Sequence, residues 1–184
     1  PENTPPEEQK AGSWGQNMAV PFNYTFGTNP VRLTLVARQP AVWNNFIFGF
    51  TDQNQVSNNF LLLQPNPNPP NFPDRVRLQL WHNGSSYNRN YPPGIDTNYF
   101  RELVLEYDPT KASTPDVNPY SFFVDGLEIP LSANAVNLPP MTSIGGIGWG
   151  FWFADGNVDR SVLIQSMKFE VLDAPSTPQG DFNG

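Results

Sequence analysis

The sequence predicts an all-β domain of short strands, a sandwich or a barrel. Three observations carry that prediction. Short runs alternate apolar and polar residues with a period of two, Pro, Gly, Asn and Asp punctuate the runs, and helical spacing is nearly absent. A chain of 184 residues fits one such domain, and it is long enough to bury most of its apolar surface without cross-links.

Residues 1–13 read as a flexible, proline-rich lead-in, and 14–173 as the sandwich domain. Ten strands are expected. The first is Ala19–Phe26. In Val31–Arg38, Val31, Leu33, Leu35 and Ala37 share one face; Arg32, Thr34 and Arg38 take the other, with Val36 the exception. Phe46, Phe48 and Phe50 align in Phe46–Thr51, and Asn59–Gln64 follows. Arg75–His82 sets Val76, Leu78 and Leu80 against Arg75, Arg77, Gln79 and Trp81. Phe100–Tyr107 places Glu102 and Glu106 on one face. Tyr120–Asp125 and Leu127–Leu131 meet at Asp125-Gly126, a favoured hairpin turn. Ile144–Phe153 is glycine-rich, which marks close backbone approach, and Trp149, Phe151 and Phe153 share its core face. Ser161–Leu172 sets Leu163, Met167, Phe169 and Val171 against Lys168 and Glu170. The long connections are Pro65 to Pro73, stiff and extended, and Asp108 to Pro119, a polar loop.

Charged residues make up only 15% of the chain, and the net charge is −7. No Lys/Arg cluster exists. A nucleic-acid partner is therefore not expected, because such partners need a basic stripe to displace counterions. Surface binding to membranes by a basic amphipathic helix fails on the same ground. No run is long enough for a membrane-spanning helix, so no membrane insertion is expected. The chain has no cysteine, which removes thiol chemistry, cysteine zinc sites and disulfides. This composition fits a secreted or cell-surface bacterial domain. A chain opening at Pro1 is expected to be a trimmed piece of a larger modular protein, and the domain is expected to be monomeric within it.

Tyr120-Ser121-Phe122-Phe123-Val124-Asp125-Gly126, preceded by Arg101-Glu102-Leu103-Val104-Leu105-Glu106-Tyr107-Asp108, resembles a strand-hairpin pattern of the laminin-G / concanavalin A-like superfamily. Val162 to Leu172 resembles that family's closing strand. The likeness spans Ala19–Leu172. It implies a jelly-roll sandwich of two curved sheets, a fold that hosts lectins, glycan-binding modules, hydrolases, lyases and adhesion domains, so the fold does not choose a function. Residues 174–184 read as a linker running into a following module. Within them, Asp181-Phe182-Asn183-Gly184 resembles the opening of a dockerin-like calcium loop, in which Asp181 and Asn183 would be the first- and third-position ligands; without the remaining ligands these four residues cannot form a site by themselves.

Recognisable catalytic motifs are missing. Glu102 and Glu106 lie four residues apart on one strand face. A rise of about 3.4 Å per residue sets them too far apart for a retaining glycosidase pair, and only an inverting arrangement survives on distance. The sole histidine, His82, lacks the context of a lyase motif and cannot form a multi-histidine metal site. No G-x-S-x-G elbow or phosphate-binding glycine loop occurs.

What remains is binding. Sugar rings stack their C–H faces on aromatics, and their hydroxyls pair with amides and guanidinium groups. Trp81 beside Gln79 and Arg77 has that composition. Trp43, Tyr91 and Trp152 are further candidate ligand-binding residues, and Tyr87 is a loop aromatic beside Tyr91. Asp155, Asn157 and Asp159 offer oxygen ligands at alternate positions, with Asp52 as a fourth donor, for a structural calcium ion. The expected function is a non-catalytic carbohydrate-binding module that anchors a larger secreted protein to a polysaccharide. A structural or adhesive domain with protein partners is the alternative, and a polysaccharide-active enzyme ranks third.

Overall fold

Alternation of apolar and polar side chains calls for strands that share a common core, and a computed structural model packs them as two sheets around one. It describes residues 14–38, 46–54, 57–65, 76–87, 99–131, 133–152 and 162–173. Eleven strands occur in these residues: β1 (Trp14–Thr25), β2 (Val31–Arg38), β3 (Phe46–Thr51), β4 (Ser57–Pro65), β5 (Val76–His82), β6 (Ser85–Ser86), β7 (Arg101–Tyr107), β8 (Tyr120–Val124), β9 (Leu127–Glu128), β10 (Ser143–Trp152) and β11 (Leu163–Val171). No helix is present among the described residues. One sheet has the order β1-β10-β3-β4-β5-β6, the other β11-β2-β7-β8-β9. Every pairing within them is antiparallel.

The core lies between the sheets. Val31, Leu33, Leu35 and Ala37 of β2 are fully buried, with Leu103, Leu105 and Tyr107 of β7 beside them. Phe46, Phe48 and Phe50 of β3 face them from the other sheet. Aromatic contacts stitch the layers together: Phe48 meets Phe122 with ring centroids 6.2 Å apart, Phe22 meets Phe169 at 4.8 Å, and Phe26 meets Tyr107 at 5.2 Å. Each such side chain contributes about 1.5–3 kcal/mol through burial.

Two hairpins turn on residues with left-handed backbone. Asn83 and Gly84 (φ 48° and 75°) join β5 to β6, and Asp125 and Gly126 (φ 50° and 78°) join β8 to β9. Positive φ at both central positions is the turn that matches strand twist. Asp125 also ties the turn to β7. Its Oδ1 accepts the Glu102 N–H at 3.0 Å, and its Oδ2 pairs with Arg101 at 2.6 Å.

Some of the expected alternation is corrected by the structure. On β11, Leu163 is 49% exposed and Val171 45%. A bulge shifts the register between Ile164 and Ser166, so that Ile164 pairs with the inward Ala37 and Leu163 with the outward Arg38. The extra residue reverses the faces on either side of it. Val171 does pair with the inward Val31, but its strand is the sheet's edge.

Candidate functional site

β5 has one apolar face in the core, through Leu78 and Leu80. Its other face carries Gln79 and Trp81. Sheet register fixes their neighbours. Trp81 pairs with Phe60, Phe60 with Gly49, and Gly49 with Gly148; Gln79 pairs with Leu62, Leu62 with Ile47, and Ile47 with Gly150. The face is therefore apolar, not polar as the β5 sequence alone suggests. Ile47, Phe60 and Leu62 form a second small core, separate from the main one, against which Trp81 packs. The indole stacks on Phe60 with centroids 5.6 Å apart and planes 12° apart.

Burial divides this face. Ile47, Phe60 and Leu62 are at most 2% exposed, and Gln79 is 8% exposed. Trp81 is only half-buried, and its register partner Ser86 is exposed. The accessible end of the face is thus the half-buried indole and Ser86, next to the exposed Asn83-Gly84 turn. Such a place suits a ligand with a C–H surface and hydroxyls.

The other candidates divide by where they fall. Arg77 and Trp152 lie on β5 and β10, paired through their backbones with Gln64 and Trp14. Trp43, Tyr91, Asp155, Asn157 and Asp159 lie outside the described residues, as do Asp181 and Asn183. Asp52 begins the turn after β3, where its Oδ1 accepts the Asn54 N–H at 2.8 Å. Among the described residues, no three acidic, histidine or cysteine side chains gather as a metal-binding group. Tyr87 is half-buried and packs on the main core.

Glu102 and Glu106 stand on the outer face of the second sheet, away from Trp81. Glu106 Oε1 accepts from Arg32 Nε at 2.7 Å and pairs with Arg32 Nη2 at 2.6 Å. Lys168 and Glu170 add another ion pair at 2.7 Å on β11. This is a solvated strand face laced with charge pairs.

Sequence reasoning missed the role of His82. Its side chain is 1% exposed and sits inside the sandwich. Nε2 lies 2.7 Å from the Pro139 carbonyl and Nδ1 lies 2.8 Å from the Tyr120 hydroxyl. A carbonyl only accepts, so Nε2 carries the proton and Nδ1 accepts the Tyr120 O–H. Burial pushes the His82 pKa below its ordinary value, while the Pro139 carbonyl pulls it up. Burial also drives the Tyr120 phenol well above the usual tyrosine value, helped by Tyr107 and Tyr87. The Tyr107 hydroxyl accepts the Met141 N–H at 2.8 Å. The available signal was parity: His82 shares the face of Leu78 and Leu80.

No protein-family model matches the chain, and no curated protein matches it. Solved structures do. A native heptameric SAP-like pentraxin from Limulus polyphemus aligns with TM-score 0.53 and 13% identity, covering 84% of this chain and 68% of the pentraxin. The homodimeric agglutinin CG-16 from chicken liver aligns at TM-score 0.47 and 10% identity, over 84% of this chain and all of the agglutinin. The carbohydrate-binding module CBM66 from Bacillus subtilis aligns at TM-score 0.47 and 12% identity, over 84% and 81%. At such identities the likeness is one of fold, and the chain has the two-sheet antiparallel jelly-roll sandwich it shares with the pentraxin.

Proposed function

We propose that this domain is a non-catalytic carbohydrate-binding module that holds a larger secreted protein against a polysaccharide. The observation that supports it most is Trp81. It is anchored by its stack on Phe60, yet keeps part of its surface open beside Ser86 and the Asn83-Gly84 turn. A ring fixed in advance loses little conformational freedom when a sugar stacks on it. Glu106 is already engaged by Arg32 on the opposite side of the sandwich, which favours binding over acid–base catalysis.

The test is retention on a panel of soluble and insoluble polysaccharides, with calcium and with chelator. Trp81→Phe preserves an aromatic stack and should retain binding better than Trp81→Ala. The proposed calcium at Asp155, Asn157 and Asp159, with Asp52, is read by the chelator arm.

A second reading, an adhesive domain with protein partners, draws on exposed apolar side chains at the edge strands. Met18 is 60% and Val20 43% exposed on β1, and Leu163 is 49% exposed on β11. Under that reading, Met18→Ser with Leu163→Ser abolishes partner capture, while glycan retention is absent in every form of the protein.

A further inference from the structure

We infer a second binding locus, built from Arg38, Leu163 and Phe100 on the outer face of the second sheet, that takes a carboxylate-bearing sugar ring such as a uronate. The sugar rests on the carbohydrate reading above, and the carboxylate rests on Arg38. The locus is separate from Trp81, which lies on the first sheet.

Strand register assembles it. Val31, Leu33, Leu35 and Ala37 of β2 face the core, so Arg38 faces outward. Leu163 of β11 is its partner on one side. On the other side Arg101 of β7 pairs with Ala37, and Phe100, one residue earlier, stands at the level of Arg38. Leu163 and Phe100 are exposed, as is Tyr99 next to Phe100. The bulge in β11 decides which residue flanks Arg38. It sends Ile164 inward against Ala37 and leaves Leu163 outward against Arg38. Bulges re-aim side chains in this way beside functional sites.

Arg38 is the group that the fold does not account for. Arg32, Arg101, Lys111 and Lys168 all stand in ion pairs. Among the described side chains, Arg38 is the one cation that does not. It stays half-buried, and its Nε is covered with no hydrogen-bond partner. Glu102 pairs with Val36 and so lies diagonal to Arg38, within the span of long side chains, yet it enters none of the ion pairs among the described residues. A guanidinium held in place without a counter-charge calls for a partner from outside. It matches a carboxylate in charge and in planar geometry, and the apolar flanks match the C–H face of a pyranose. With a net charge of −7 the chain repels a polyanion at long range. Recognition is therefore local, within the Debye length of about 8 Å at physiological salt.

The test is titration calorimetry of the whole chain at physiological salt. The probes are oligomers of galacturonate, glucuronate and mannuronate, and the same oligomers after reduction of their carboxyl groups. At least one uronate oligomer should bind, and its reduced form should bind about tenfold more weakly or worse. Arg38→Gln should lose about tenfold or more on that oligomer and melt no lower than wild type, because it breaks no internal pair. Glu102→Gln removes a like charge facing the ligand and should tighten binding. Amide shifts on titration should centre on Val36, Arg38, Phe100 and Leu163. Equal binding of a uronate and its reduced form overturns the proposal on the wild-type protein, whether or not a variant folds. Equal binding by wild type and Arg38→Gln overturns it as well. Retention of neutral polysaccharides with no uronate binding overturns this locus and leaves the carbohydrate reading standing, whereas binding of no sugar of either kind overturns both. Oligo-glutamate bound at the same residues as tightly as a uronate overturns the assignment to a sugar.

Discussion

Asp125 carries three jobs in one carboxylate and one backbone position. It adopts a left-handed φ of 50°, receives the Glu102 N–H, and pairs with Arg101. Asp125→Ala removes both side-chain interactions and leaves a residue less suited to that φ. A loss of about 1–2 kcal/mol in denaturant unfolding is expected, with Asp125→Asn milder because it keeps an acceptor and tolerates the conformation. Gly49 is constrained differently. A Cβ there would overlap the Asn59 carbonyl oxygen and Phe60 Cα on the neighbouring strand. Backbone cannot yield as a flexible side chain can, so Gly49→Ala should cost about 3 kcal/mol or prevent folding, read by yield and thermal melting.

At the scale of elements, period-two alternation made most strands legible. β2 and β3 occur with the ends expected from the sequence, and β7 and β8 within one residue of them. The Asp-Gly turn was equally legible. What the alternation could not give was the second face of the first sheet. β3 is buried along its whole length, on both faces. A strand that is apolar throughout gives no sign of which residues meet across the sheet, so the Phe60–Trp81 stack was not readable from β5 alone. The β11 bulge was hidden because one extra residue leaves no compositional mark. β6 was missed although Asn83-Gly84 announces a hairpin, because a two-residue strand shows no alternation. The aromatic and metal candidates outside the described residues stay as sequence expectations. The outer face of the second sheet offers its own check. Glu102→Gln with Glu106→Gln removes one ion pair and should lower stability by about 1 kcal/mol or less. Release of reducing sugar from the polysaccharide panel should be absent from wild type and double variant alike, whereas a catalytic dyad would give release by wild type that the double variant loses.

For the whole molecule, both sheets converge on the buried His82–Tyr120–Tyr107 group, and its titration shapes stability at both ends of the pH scale. His82 has a lowered pKa, so its contribution is present above about pH 6.5 and lost on acidification. Tyr107 and Tyr120 have raised pKa values, chiefly through burial. Their contribution is present below the unfolded tyrosine value of about 10 and is lost as pH rises through the folded values. Thermal melting should therefore plateau between about pH 7 and pH 9 and fall on both sides. A melting temperature that climbs steadily from pH 6 to pH 10.5 would contradict this.

The edges of the sandwich bear on whether copies of the domain associate. β1 and β11 are edge strands, and each is interrupted by register shifts. Pro21 lies within β1 and Lys168 within β11. Bulges, proline and lysine discourage strand addition between copies. That fits the proposal of a monomeric module, although the exposed Met18, Val20 and Leu163 sustain the adhesive alternative. The measurement that tests the central claim most directly is retention on the polysaccharide panel, comparing wild type with Trp81→Phe and Trp81→Ala after both variants have been shown to fold. Retention on at least one polysaccharide is expected, kept largely by Trp81→Phe and lost or reduced about tenfold or more by Trp81→Ala, in line with about 1–3 kcal/mol for a lost stacking platform. Retention on none of them, or equal retention by all three proteins, would contradict it.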